Sequence, residues 1–403
     1  MGGLMEIVNW DLLDNEEPQE AVAFGENQVG SVTMALEPVQ AGSPLSWVAE
    51  QFTNNADLFA LPVEKDGGVV GVVTRSRILD RSSKFLENLT SRPLDQDLHP
   101  HRTLDARESV DKVVSELFGD ETKPLVELFV VYLDGRYYGV TDIRRLVSRS
   151  AQLRDQDLGK AKDVQEGAMA RNWLPATKWE RSKLVRMAYG VGGDFYQELA
   201  WPDGSCFLGC FDVSGKGISG SLVTSALGGF FAAVRTQGGP APAPAHFCSQ
   251  INEFLREALP LGTFVTAVAF FLPAQPAAGG AIKVLNFGYG PVYYYARKEN
   301  KVVGKGLKPN LPPLGLDKLD LGDHSIFPIP FEPGTKVYVF SDGMTDLMNP
   351  SGKRFGEEAL REFLSKAYKH NAAEFLNQLE EQIRTFQEDA PQADDITALT
   401  IQT

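Results

Sequence analysis

Asp194 and Asp212 stand equidistant from Asp203, which lies in the turn Trp201-Pro202-Asp203-Gly204. That symmetry constrains the C-terminal half of the chain more than any other feature. A three-residue loop, Pro202-Asp203-Gly204, makes the two aspartates directly opposite partners on antiparallel strands. A two-residue Asp203-Gly204 loop leaves them one position out of register. Like charges directly opposite one another across strands are destabilising, so a fold tolerates this pair most easily with a cation between them. Cys206 and Cys210 alternate with Leu208 on one strand face and are expected in the core.

Two further acidic positions follow. The alternating strand in GTKVYVFSDGMTD ends at Asp342, and QADDITALTIQ puts Asp394 and Asp395 just before a last strand. Carboxylates at strand ends, with no Cys or His motif beside them, suit hard, oxygen-seeking Mg²⁺ or Mn²⁺ rather than Zn²⁺. Lys216, in the Gly-rich turn after Asp212, is either a solvated lysine or a phosphate contact. From 190 to 403 the strands are short and Gly-bounded, with helices expected at about 219–236 and 356–387. GGPAPAPA at 238–245 reads as a rigid loop.

Residues 31–150 look duplicated. SPLSWVAEQF and ESVDKVVSELF share one helix-face spacing, with Leu45, Val48 and Phe52 matching Val110, Val113 and Leu117. Downstream of each come an apolar strand, an Asp-Gly pair and a second apolar strand. Asp66-Gly67 and Asp134-Gly135 are strong signals for two-residue hairpins, because a type I′ turn needs positive φ at both positions. Two such units are expected to bury their sheets against each other.

This stretch resembles a tandem pair of CBS domains. In that family the second strand ends in Gly, two β-branched residues, Ser or Thr, two free positions and a ribose-holding Asp. Here Arg77 and Arg144 occupy the last position. The resemblance therefore implies either a small ligand bound at the pair or a dimerising module with none. A homodimer is expected, since the apolar faces are followed by an imperfect heptad seam at Val147, Ala151, Leu158, Ala161 and Ala168. Gly159 and Gly167 weaken that linker helix by about 1 kcal/mol each relative to Ala. Trp173, Leu174 and Pro175 are expected to end it.

The C-terminal half resembles the SpoIIE-like branch of the metal-dependent protein phosphatases, the PPM family. VQEGAMARNWLP reads as the entry segment. GGDFY, DVSGKGISGSL, TFVTAVAF, LPPLGL, FSDGMTDLMNPSGKRFG and DDIT then follow in the family's order. The resemblance implies an α+β chain, a CBS pair of small α/β units followed by a PPM-type β-sandwich flanked by helices. It also implies two Mn²⁺ or Mg²⁺ ions. Asp194 and Asp212 hold metal, with Asp212 between the ions and the Val213 carbonyl as a further ligand. Asp342 and Asp394 hold the other ion, and Asp395 is an alternative to Asp394. Two ions about 3.5–4 Å apart activate a water toward a phosphoester, so no Cys, Ser or His nucleophile is needed.

The implied activity is that of a serine/threonine phosphatase regulated by the CBS pair. Its substrate is a phosphorylated protein of the anti-sigma-factor-antagonist type. Gln197 and Tyr289 depart from the family, which commonly has Asp and His there. They leave open a second reading, a weak or inactive phosphatase fold that sequesters a partner. A diguanylate cyclase is rejected, because only one acid stands between Gly193 and Phe195.

The expected layout is an acidic arm at 1–30, the CBS-like pair at 31–150, a linker helix at 151–175 and the phosphatase domain at 176–403. The net charge is −14, and residues 1–30 carry seven acids and no Lys or Arg. This balance opposes nucleic-acid binding, which needs clustered cations. The start lacks the basic residues of a secretory signal, and no apolar run of about 18 residues is evident. Three cysteines make no disulfide framework. A cytoplasmic protein without membrane attachment is expected.

Overall fold

The computed structural model describes residues 22–82, 93–119, 126–169, 179–260, 262–275, 280–298, 301–330 and 334–402. Most of the acidic arm and the segment Trp173-Leu174-Pro175 lie outside these residues. The chain divides into two compact units, residues 1–156 and 157–403.

The first unit is built twice over. Strands β1 (Val39–Gln40), β2 (Ala60–Lys65) and β3 (Gly68–Thr74) form one sheet, with helices α1 (Leu45–Asn54) and α2 (Arg75–Ser82). Strands β4 (His101–Asp105), β5 (Leu128–Leu133) and β6 (Arg136–Asp142) form the other, with α3 (Val110–Phe118) and the start of α4 (Ile143–Met169). In each sheet the first pair is parallel and the second a hairpin. Both hairpins turn at the expected Asp-Gly, with φ of 53° and 82° at Asp66-Gly67 and 51° and 76° at Asp134-Gly135. Helices α1 and α3 bury the predicted faces, Val48 with Phe52 and Val110 with Val113. Ala60 and Val72 of the first copy share a small core with Leu128, Val130 and Val140 of the second, so the sheets do bury one another.

Helix α4 begins at Ile143, directly after β6, rather than at 151. Gly159 and Gly167 do not interrupt it, and a Cβ at either would meet open space. The expected heptad seam is not what it buries: Val147 is 39% exposed, whereas Leu146, Ser150 and Gln165 are buried. A seam of residues three and four apart identifies a face, but the tertiary partner decides which face is covered.

The second unit is a sandwich of two five-stranded sheets. One runs β14 (Phe327–Pro330), β11 (Ala281–Phe287), β10 (Val265–Leu272), β9 (Cys206–Val213), β8 (Asp194–Ala200). The other runs β13 (Lys301–Leu307), β12 (Val292–Lys298), β15 (Lys336–Phe340), β16 (Ile396–Gln402), β7 (Glu180–Arg186). Tyr196, Cys206, Leu208, Cys210, Val268, Val339 and Leu399 fill the space between the sheets. Alternate residues of the first sheet, such as Phe195, Phe207 and Phe211, face α5 (Ile218–Gln237) and α6 (Pro244–Ala258). The second sheet turns Tyr338, Phe340 and Ala398 to α8 (Gly356–Ala367) and α9 (Ala372–Gln387).

Two expectations change. Helix α6 was hidden behind GGPAPAPA, yet Pro244 opens it at its first turn, where a missing N–H costs nothing. The helical stretch at 356–387 is two helices, because the Asn371 side chain accepts from Glu374 N and caps a second start. Helix α5 is long and apolar enough by length and composition to cross a membrane. Its Gly220, Ser221, Thr224, Leu227, Gly228 and Phe231 are nevertheless buried within the unit.

A candidate metal centre at the strand ends

The β8–β9 hairpin takes the three-residue loop. Ala200 pairs with Cys206, and the ladder runs unbroken to Asp194 opposite Asp212. Gly204, at φ 85°, supplies the left-handed residue that such a loop needs. Asp194 is 2% exposed, and its Oδ2 has no hydrogen-bond partner. Burial pushes its carboxyl well above the usual range, and the Asp212 charge adds to that. Burial, followed by the charges of Asp342, Asp394 and Asp395, pushes Asp212 up to about 7. Asp212 is eased only by Thr266, whose hydroxyl stands 3.4 Å from its Oδ2.

Asp342 opens the short helix α7 (Asp342–Asp346) where β15 ends. Ser341 joins this strand end to the start of β16: its Oγ accepts from Thr397 N and its hydroxyl donates to the Asp395 carbonyl. Gly343 permits the approach, since a Cβ there would lie 1.9 Å from that carbonyl oxygen. Asp342 lies at the surface; partial withdrawal of its carboxyl from water raises its pKa, and the Asp394 charge raises it further. The Val213 amide donates to Gly193 O at 3.2 Å, which keeps residue 213 beside the Gly192-Gly193 segment.

The geometry separates Asp394 from Asp395. Asp395 is 8% exposed, and its carboxylate accepts from Ala188 N and Gly193 N at 2.8 Å and from Asp194 N at 3.4 Å. It holds the loop that presents Asp194. Gly192 makes this possible, because a Cβ there would sit 1.8 Å from Asp395 Oδ2. Asp394 instead receives Lys216 Nζ at 2.7 Å, and Lys216 also donates to Ala393 O. The lysine is thus neither merely solvated nor simply free for phosphate. That ion pair, helped first by its hydrogen bond, raises the Lys216 pKa.

Sequence reasoning missed Gln165. This residue of α4, 2% exposed, donates to Gly192 O and to Thr224 Oγ1 and accepts from Gly192 N. A lone Gln on a helix carries no local signal of such a role. Gln197 faces the helical side of its sheet, between Phe195 and Leu199, and its Oε1 has no partner.

Among the described residues, no three His, Cys, Asp or Glu side chains already stand close enough to enclose an ion. The donors nevertheless fit a hard cation. They are all oxygens, the Asp212 charge raises the Asp194 carboxyl while those of Asp342 and Asp394 raise Asp212, and Oδ2 of Asp194 lacks a donor.

A family model for stage II sporulation protein E (SpoIIE) matches residues 202–403, half of the chain. The chain belongs to the SpoIIE family. Over 270 residues it is 21% identical to Protein IcfG of Synechocystis sp., covering 61% of this chain and 41% of that protein. It therefore spans about two fifths of that relative's length. Among solved structures, the SiaA-PP2C domain of Pseudomonas aeruginosa matches at 21% identity and a TM-score of 0.53, over 63% of this chain and 98% of that domain. The PP2C phosphatase domain of SpoIIE from Bacillus subtilis, with a fragment of its regulatory domain, matches at 16% identity over 56% of this chain and 64% of that one, with a TM-score of 0.45. The second unit therefore has the PP2C-type fold, and phosphatases of this family are metal-dependent.

Proposed function

We propose that the second unit is a Mg²⁺- or Mn²⁺-dependent protein serine/threonine phosphatase, with Asp194, Asp212, Asp342, Asp394 and the Val213 carbonyl as ligands of two ions. The observation that carries this reading is the cross-strand opposition of a buried Asp194 and a half-buried Asp212, whose repulsion a cation relieves. Ions held there supply an activated water and neutralise phosphoryl oxygens. The chain's own residues do the rest. Asp212 lies centrally, within the fields of Asp342 and Asp394. Asp395 fixes the Gly193–Asp194 backbone. Lys216, paired with Asp394 in this structure, would stand beside the site to meet phosphate if that carboxylate were taken up by a cation.

By the same reading the substrate is a phosphorylated regulator of the anti-sigma-factor-antagonist type, and the protein is a cytoplasmic homodimer. The first unit is a CBS pair that binds a small ligand or serves dimerisation. The segment of α4 from Leu146 to Ala168 carries its state to the metal centre.

The test is hydrolysis of para-nitrophenyl phosphate and of phosphoprotein substrates with Mn²⁺ or Mg²⁺, for wild type and Asp342→Asn. Loss of turnover in the folded variant is expected. Near wild-type turnover under saturating Mn²⁺ sinks the site assignment. A second reading, a partner-sequestering fold, is favoured by Gln197 and by the Lys216–Asp394 pair. It predicts phosphoprotein binding without turnover in the wild type.

A further inference from the structure

Gln165 stands near the end of α4, in the part of that helix that belongs to the second unit, which begins at Asp157. Its neighbours Asp163, Val164, Glu166 and Gly167 are exposed, whereas Gln165 is buried. Both ends of its amide are engaged. The oxygen accepts from Gly192 N at 3.2 Å, and the nitrogen donates to Gly192 O and to Thr224 Oγ1, each at 2.8 Å. The side chain thus pairs with residue 192 as a neighbouring strand would, just ahead of β8, which starts at Asp194. An apolar side chain would serve helix packing alone, since a buried amide costs free energy unless its groups find partners.

The backbone that Gln165 holds leads into the metal centre. Gly193 N donates to Asp395, and Gly193 O accepts from Val213 N. A Cβ on Gly193 would lie 2.8 Å from the Val213 carbonyl oxygen. Gly220 of α5 presses on the same glycine, for a Cβ there would lie 2.9 Å from Gly193 Cα. Thr224, the other partner of Gln165, is one turn further along the same face of α5. Three elements therefore meet at Gly192-Gly193: α4 through Gln165, α5 through Gly220 and Thr224, and the loop before β16 through Asp395. The end of α4 also has a tether that does not involve Gly192. Lys183 of β7 donates to the carbonyl of Met169, the last residue of α4, at 3.2 Å, and its Nζ lies 4.3 Å from the centre of the Tyr196 ring.

We propose that Gln165 is a positioning residue for the metal centre, its amide fixing the Gly192 backbone so that Gly193 meets Asp395 and Val213 and Asp194 is presented opposite Asp212. Gly190, Gly192 and Gly193 leave this segment wide conformational freedom, and the hydrogen bonds at Gly192 and Gly193 select one conformation. This rests on the reading of Asp194 and the Val213 carbonyl as ligands. Groups that orient a ligand without touching the metal change metal affinity by about 10–100-fold when removed.

The experiment titrates the full chain with Mn²⁺ alone by calorimetry and follows hydrogen exchange in the absence of metal. Gln165→Met keeps the length of the side chain and removes its amide. Lys183→Met cuts the other tether of the helix end, leaves Gly192 untouched and is the control. The expected result for Gln165→Met is an Mn²⁺ affinity about tenfold weaker, with faster exchange at residues 190–194. Gln165→Asn, whose amide falls one methylene short of Gly192, should weaken affinity alike, and it decides the matter if the methionine variant does not fold. Lys183→Met should melt earlier yet bind Mn²⁺ as wild type does. Wild-type affinity in Gln165→Met, or in Gln165→Asn where only that variant folds, overturns the proposal alone. Equal weakening in Lys183→Met also overturns it, because loosening of the helix end then accounts for the effect. A wild type that binds no Mn²⁺ overturns both this proposal and the metal-centre reading.

Discussion

Replacing Asp212 by Asn should stabilise the metal-free protein, by an amount that depends on pH. The Asp212 carboxyl titrates at about 7 in the folded chain, against an ordinary value of 3.8. Between these values the native state holds a proton that the unfolded state has released. Stability therefore falls as pH rises through this window, and the loss is complete above 7. At about 1.4 kcal/mol per pH unit, the full gap corresponds to roughly 4 kcal/mol. Asp194 and Asp342 share the same repulsion, so about 2 kcal/mol is the share expected for one substitution. For a unit of this size that is a rise of about 4–8 °C in melting temperature. The assay is thermal unfolding in EDTA from pH 4 to 8.5, with each pH comparing wild type and Asp212→Asn. The two should coincide near pH 4, diverge through pH 5–7 in favour of the variant, and run parallel above. Adding Mn²⁺ should close or reverse the gap, because binding to the native state alone stabilises it. A wild type that is not destabilised relative to the variant between pH 5 and 7.5 would refute the reasoning.

Asp395→Ala leaves the Ala188 and Gly193 amides without their acceptor; a loss of about 2–4 kcal/mol, with weaker Mn²⁺ binding, should appear in denaturant unfolding and calorimetry. Gln165→Leu strips partners from both backbone polar groups of Gly192. Hydrogen exchange at residues 190–194 should accelerate, while global stability falls by about 1–3 kcal/mol. Gly159→Ala with Gly167→Ala meets no steric obstacle and should add up to about 2 kcal/mol of helix preference. If α4 carries a signal, basal kcat/KM in the full chain shifts several-fold; an unchanged value marks the helix as a passive tether.

The local chemistry of turns made much of this molecule legible in its sequence. Asp66-Gly67 and Asp134-Gly135 adopt the positive φ values that two-residue hairpins need. The period-two alternation of Cys206, Leu208 and Cys210 put those side chains in the core. The opposition of Asp194 and Asp212 followed from counting outward from Asp203, once the loop length was known. These are properties of a few consecutive residues, and no distant part of the chain can easily override them.

Only the tertiary structure could separate Asp394 from Asp395. They are neighbours in a loop before β16, where no period assigns a face. Their partners diverge because the Gly192-Gly193 backbone, about two hundred residues earlier, reaches one carboxylate while Lys216 reaches the other. Gln165 became visible for the same reason. A buried side chain acquires its role from the groups packed against it, and those groups come from strands and helices that the sheet order, not the sequence order, makes adjacent.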